Sequence, residues 1–195
     1  AAYRELGVPR EQELSGHGVS WCATCDGFFF REKVIAVVGG GDSAMEEANF
    51  LTKFASKVYV IHRRDSLKAS EIMQKRSFDN EKIEFIWNSA ITELKGSPKL
   101  DGVVLEDTVT GEKRDLAIEG LFVAIGSDPR VGLIENQVEI SKDRFIKVDG
   151  RTSKTSLPGV FAAGDVIDPI YRQAITAAGS GCVAALDAEH YLSSK

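Results

Sequence analysis

A run of β-branched residues, Val34-Ile-Ala-Val-Val38, ends in Gly39-Gly40-Gly41 and gives way to apolar spacing of helical period from Ser43 to about Phe54, through Ala44, Ala48 and Leu51. Strand, tight turn and helix in that order leave few architectures open. A second buried run, Val58-Tyr-Val-Ile61, closes a βαβ unit over residues 33–62 with parallel strands and an expected right-handed crossover. A polar helix is predicted near Ala69 to Phe78. Short alternating runs follow at Ile83 to Trp87, Gly102 to Asp107 and Lys113 to Ile118, parted by turn residues such as Thr110-Gly111, and read as a small antiparallel meander. Leu121-Phe-Val-Ala-Ile125 returns as a buried strand closed by Gly126. The expected fold is therefore α/β, a Rossmann-like three-layer domain of parallel sheet plus β-meander that ends near residue 130.

Residues 131–195 contain predicted strands at Phe145 to Val148 and Val160 to Ala163 and a helix from about Tyr171 to Leu192, but no glycine-rich turn opens them. The segment is too small for an ordinary second nucleotide domain, and its strands and helix need a partner sheet. The chain has 195 residues, 43% of them hydrophobic, enough for a full core. With 24 Lys plus Arg against 29 Asp plus Glu, the net charge of −5 argues against a general binder of nucleic acid or anionic membrane. The apolar stretches are too short to span a bilayer and the N-terminus lacks a signal-peptide core, so a cytoplasmic protein is expected.

The glycine turn carries the first chemical signal. Gly39-x-Gly41-x-x-Ala44, with Gly40, Asp42 and Ser43 between, stands where the dinucleotide fingerprint requires: after a buried strand and at the start of a helix, whose N-terminus meets the charge of a pyrophosphate. About 20 residues on, where an NAD site offers an acid to the ribose hydroxyls, the chain reads His62-Arg63-Arg64, with Lys68 close behind. Cations there suit a 2′-phosphate, because guanidinium forks bind phosphate oxygens in pairs. NADPH is expected over NADH; a solvated basic turn is the plainer alternative.

Cys22-Ala-Thr-Cys25-Asp26 is the second signal. Such a pair can be half a zinc site or a redox dithiol. Zinc calls for four ligands in most structural sites, and the rest of the chain offers only Cys182, His17, His62 and His190, so no metal is expected. A redox pair needs a nucleophilic thiolate, a resolving thiol and a group to manage protons, a part that Asp26 could take. Trp21 and Phe28 to Phe30 most simply pack the motif into the domain, and Cys182, among small helical residues, reads as a buried core thiol.

Trp21-Cys-Ala-Thr-Cys-Asp-Gly27, Gly39-Gly-Gly-Asp-Ser-Ala44 and His62-Arg-Arg-Asp65 stand in the order and spacing of the low-molecular-weight NADPH-dependent thioredoxin reductases, and the chain resembles that family through Phe122-Val-Ala-Ile-Gly126, Gly159-Val-Phe-Ala-Ala-Gly-Asp-Val166 and Tyr171-Arg-Gln-Ala-Ile-Thr176. The resemblance implies an NADPH-binding domain over residues 1–130, set into an FAD-binding domain whose C-terminal part is residues 131–195. It places Ile125, Gly126 and Gly164 among the cofactor-binding positions, Asp165 at the flavin's ribityl chain, and Arg172, Gln173 and Ala174 near its ring. It further implies that Cys25 is the thiol nearer FAD, that Cys22 attacks the disulfide of thioredoxin, that Asp26 donates the proton, and that the complete protein is a homodimer whose NADPH domain rotates. The family's first flavin fingerprint has no counterpart before Cys22, so the chain is expected to lack half of the FAD domain and to hold flavin poorly. A flavin-free NADPH-binding or redox-sensing module is the alternative function, and within the enzymes a peroxiredoxin-reducing flavoprotein that prefers NADH is a third.

Overall fold

The computed structural model describes residues 1–194. In chain order it contains β1 (Ala2–Tyr3), β2 (Val19–Ser20), α1 (Ala23–Asp26), a 3-10 turn (Gly27–Phe30), β3 (Val34–Val38), α2 (Asp42–Leu51), β4 (Lys57–Ile61), α3 (Glu71–Phe78), β5 (Ile83–Ile86), β6 (Ser89–Lys95), β7 (Gly102–Asp107), β8 (Lys113–Leu116), β9 (Gly120–Val123), β10 (Ser127–Asp128), a second 3-10 turn (Gly164–Val166) and α4 (Ala174–Ser193). These elements fall into two units: Arg4–Gly126, and a smaller one in which Ala1–Tyr3 joins the residues from Ser127 onward. Residue 195, the last of the expected second segment, lies outside the described residues. Among the described residues no helix is long and apolar enough to cross a membrane.

The larger unit is built on a five-stranded sheet in the order β2-β9-β3-β4-β5, with every neighbouring pair parallel. Strands covered on both faces read as continuous apolar runs rather than alternations, which is why β3 and β4 stand out in the sequence. One face carries Ile35, Val37, Val58, Val60 and Phe122 against Ala44, Met45, Ala48 and Leu51 of α2. The other carries Ala36, Ile61, Leu121 and Val123 against Ile91, Leu94, Val103 and Leu105. Those last four belong to an antiparallel meander β6-β7-β8. Helices, parallel sheet and meander thus make three layers. Helix α2 is also tied to α3 by a buried amide: Asn49 Nδ2 donates to Ser77 Oγ at 2.7 Å, and Ser77 is fully buried.

Two assignments change. Ile83 to Ile86 is not part of the meander but the edge strand of the parallel sheet, paired residue by residue with Val58 to Ile61. The first meander strand is instead β6, which sequence reading missed: the register shift between Ile91 and Glu93 interrupts its alternation.

The smaller unit has a slight core of Val131, Val138, Ile146 and Ala162. Its two expected strands reduce to isolated bridges, Ile140 with Ile146 and Lys154 with Phe161. Short runs without a neighbouring strand cannot propagate a ladder. Helix α4 is held by Asp187, whose carboxylate accepts from the Ser153 amide and hydroxyl, both at 2.7 Å. None of its residues is buried; Ile175 is 80% exposed and Leu192 71%. Cys182, expected in a core, is accordingly exposed and outside any disulfide.

Candidate functional site

At the end of β3 the backbone turns so tightly that a side chain on Gly39 would strike the Ala124 carbonyl and the Ala44 methyl, and one on Gly40 would enter the His62 ring. Gly41 differs. It is the N-cap of α2, makes no side-chain cap, and has open space where a Cβ would be. The first amides of α2, at Asp42, Ser43 and Ala44, have no intrahelical acceptor. Open backbone beside orphan N–H groups at a helix N-terminus suits an anionic group such as a diphosphate.

The segment after β4 folds back on this turn. Lys68 and Ala69 donate their amides to the Gly40 carbonyl at 2.7 and 3.0 Å. Asp42 Oδ1 accepts both the amide and the hydroxyl of Ser70, at 2.7 and 2.9 Å. The Ser70 amide, and then its hydroxyl, hold the Asp42 carboxyl below the usual carboxylate range. Arg63, Arg64 and Lys68 are exposed. His62 does not stand exposed with this set: it is only 9% exposed, packs edge-on to Trp87, and its buried Nε2 has no hydrogen-bond partner among the described residues. Burial pushes its imidazole below the ordinary value, against hydrogen bonding with Ser66 and Gly39 and with the help of the Arg63 and Arg64 charges. His62 props the turn with its ring, which fills the space beside Gly40. Ile125 and Gly126 follow the end of β9, half-buried and exposed respectively.

Cys22 and Cys25 form a disulfide, with their Cα atoms 5.3 Å apart. Cys22 is the N-cap of α1, and the Cys25 amide donates to its Sγ at 3.2 Å. Cys25 is exposed and Cys22 half-buried. Asp26 is held from behind: Ser20 Oγ, in a residue 4% exposed, donates to Asp26 Oδ2 at 2.7 Å and accepts from the Cys22 amide at 3.1 Å. Sequence reading missed Ser20, whose position on two-residue β2 gives no periodic signal. Trp21 packs against the core and donates to the Arg4 carbonyl at 3.2 Å. Of the three phenylalanines only Phe30 is packed away, edge-on to Phe122; Phe28 and Phe29 are 58% and 71% exposed. The 3-10 turn spaces residues about three to a turn, so consecutive side chains cannot all face the core.

In the smaller unit, Asp165 lies half-buried in the second 3-10 turn, where the Gly164 amide donates to Ser180 Oγ at 2.9 Å. Arg172 has a left-handed backbone (φ +50°), and its guanidinium donates to Ser127 Oγ at 2.8 Å. That conformation is fixed by Asp168, which accepts the amides of Ile170, Tyr171 and Arg172 at 2.8 to 2.9 Å. Burial pushes the Asp168 carboxyl up, but these amides outweigh it and hold it below the usual range. Asp168 is a second omission of the sequence reading, although Asp-Pro before a helix signals such a turn. Gln173 and Thr176 form a capping box that starts α4 ahead of exposed Ala174. A cavity of about 210 Å³ is lined by Gly164, Ile167, Asp168, Thr176, Ala177 and Ser180. Gly164 alone of the expected cofactor positions in this unit lines it.

One α/β unit thus holds both the glycine turn at the start of α2 and the Cys22–Cys25 disulfide. Residues 1–181 match the pyridine nucleotide-disulphide oxidoreductase family, and the chain belongs to it. Among named relatives, the chain is 62% identical to the thioredoxin reductase of Mycolicibacterium smegmatis over 98% of its own length, and 59% identical to that of Streptomyces clavuligerus over 97%. It spans 62% and 59% of those two proteins. The crystal structure of thioredoxin reductase from Streptococcus pyogenes superposes with a TM-score of 0.93 at 45% identity, covering 99% of this chain and 63% of that one.

Proposed function

We propose that the chain contributes the NADPH-binding, dithiol-bearing part of a thioredoxin-disulfide reductase, with Arg4–Gly126 as its NADPH domain and the residues from Ser127 onward as part of an FAD domain. The observation that carries this reading is the Cys22–Cys25 disulfide at the surface of the same unit that holds the open glycine turn. The residues fit NADPH: Gly41 leaves room for the diphosphate at the α2 amides, and Arg63, Arg64 and Lys68 supply cations for the 2′-phosphate. For FAD the fit is partial, since the 210 Å³ cavity is smaller than the pockets that enclose ligands of even drug size. NADPH held at Gly41, the α2 amides and Arg63, Arg64 and Lys68 would supply the reducing equivalents, which a flavin in the complete protein would relay as electron pairs.

The chain's own residues then perform thiol exchange. In the reduced pair Cys22, whose Sγ accepts from the Cys25 amide in the disulfide, would act as the nucleophile in its thiolate form. That thiolate attacks one sulfur of the partner's disulfide, forming a mixed disulfide and releasing the partner's other sulfur. Cys25 attacks Cys22 Sγ in turn, restoring the Cys22–Cys25 disulfide and freeing the partner as a dithiol. Asp26, anchored by Ser20, is the residue to which this reading gives the proton transfers. Exposed Phe28 and Phe29 give the pair an apolar flank that suits a protein substrate rather than a small thiol. The same reading includes a reducing cytoplasm and a homodimer, the latter on family resemblance alone.

Trapping tests the assignment. Incubated with oxidised thioredoxin after reduction, Cys25→Ser should accumulate a mixed disulfide through Cys22, stable until an external thiol is added, whereas Cys22→Ser should accumulate none. The opposite pattern would assign attack to Cys25, and no adduct in either variant would refute the dithiol role.

A further inference from the structure

We propose that Asp42 and Ser70 form a latch that sets the preference for NADPH over NADH, acting as positioning residues for the cationic segment between them. This rests on the reading of Arg63, Arg64 and Lys68 as ligands of the 2′-phosphate. Long side chains with exposed charges recognise a phosphate only if the backbone beneath them is fixed. The outward limb is fixed from the meander side: Ser89 donates its amide to the His62 carbonyl at 3.0 Å, Thr108 Oγ1 to the Arg63 carbonyl at 3.1 Å, and Asn88 its amide to the Arg64 carbonyl at 3.2 Å. The return limb is fixed from the glycine turn, by the Gly40 carbonyl and by the Asp42 carboxylate.

Asp42 is otherwise hard to explain. A carboxylate in the first turn of α2 favours the helix, but it opposes an anionic ligand at the same N-terminus. Its two donors, both from Ser70, engage Oδ1 on the side of the loop. Its contribution to a dinucleotide site is therefore the register of the segment ending at Ser70, in which Lys68 lies two residues from the latch. NADH presents no 2′-phosphate and makes no use of that register.

The test measures dissociation constants of the whole chain for NADPH and NADH by titration. Asp42→Ala should weaken NADPH about tenfold and lower the NADPH/NADH preference by about the same factor, on the scale expected for losing an oriented charge contact. Asp42→Asn, whose amide oxygen still accepts from Ser70, should keep the preference within about twofold. Exchange of the Ser70 amide with solvent should accelerate in Asp42→Ala and not in Asp42→Asn. The control is the double variant Arg63→Glu with Arg64→Glu. If it abolishes the preference while Asp42→Ala retains it, or if Asp42→Asn falls as far as Asp42→Ala, the latch is overturned and the 2′-phosphate reading stands. If the double variant keeps the preference, the 2′-phosphate reading itself fails, and the latch with it.

Discussion

At the scale of single residues, His62 shows how a position can be legible while its chemistry is not. The sequence places it first in a basic triplet; the structure buries its ring over Gly40, so that any side chain on Gly40 would displace it. Buried against Trp87, with the Arg63 and Arg64 charges opposing its protonation, the ring titrates lower in the folded chain than the ordinary value of about 6.5, so the folded chain binds fewer protons there than the unfolded one. Stability should therefore rise with pH through the window from the lowered folded value up to about 6.5, and be lost as pH falls through that window. Urea midpoints at several pH values should show a smaller acid loss for His62→Phe than for the parent. Equal losses would mean that His62 does not carry the effect. Asp26 and the cysteines, by contrast, were readable as a motif, but their support from Ser20 was not, because a hydrogen bond between residues six apart across a turn has no sequence period.

Elements were legible in proportion to how completely both faces are covered. β3 and β4 lie inside the three layers and read as unbroken apolar runs. β5, at the sheet edge, alternates because exposed Glu84 stands between partly buried Ile83 and Phe85, and alternation is also what a meander strand shows. The pairing of α2 with α3 was invisible for another reason: it depends on Asn49, a polar residue 7% exposed that bonds to the Met45 carbonyl and Ser77 and accepts from Asn80. Asn49→Ala would leave the buried Ser77 hydroxyl without this partner and should destabilise the chain by about 1 to 3 kcal/mol, read as a lowered urea midpoint at unchanged slope. A shift of under about 0.3 kcal/mol would show that neighbouring groups replace the bond.

Over the whole molecule, the two units differ in how they are held. Arg4–Gly126 has two extensive apolar clusters, one on each face of its sheet, whereas the second unit has a few buried side chains and a twenty-residue helix with none. Amide exchange should follow that contrast, slowest in β3, β4 and β9 and at least about a hundredfold faster in α4. Comparable protection would show that α4 is covered in solution. Within the larger unit, the disulfide is carried by an edge: β2 is the sheet's edge strand, paired with β9 over Val19 and Ser20, and the chain through Phe30 is anchored by Ala23 and by Phe30 itself, lying over Gly120. Removing that stretch would take β2 from the side of β9 and leave the pairings among β9, β3, β4 and β5 as they are. Residues 19–30 are thus a cassette, transplantable to another parallel sheet whose outermost strand offers a glycine where Gly120 stands in β9, and exchangeable in this one for a stretch without cysteines while the α/β fold is kept.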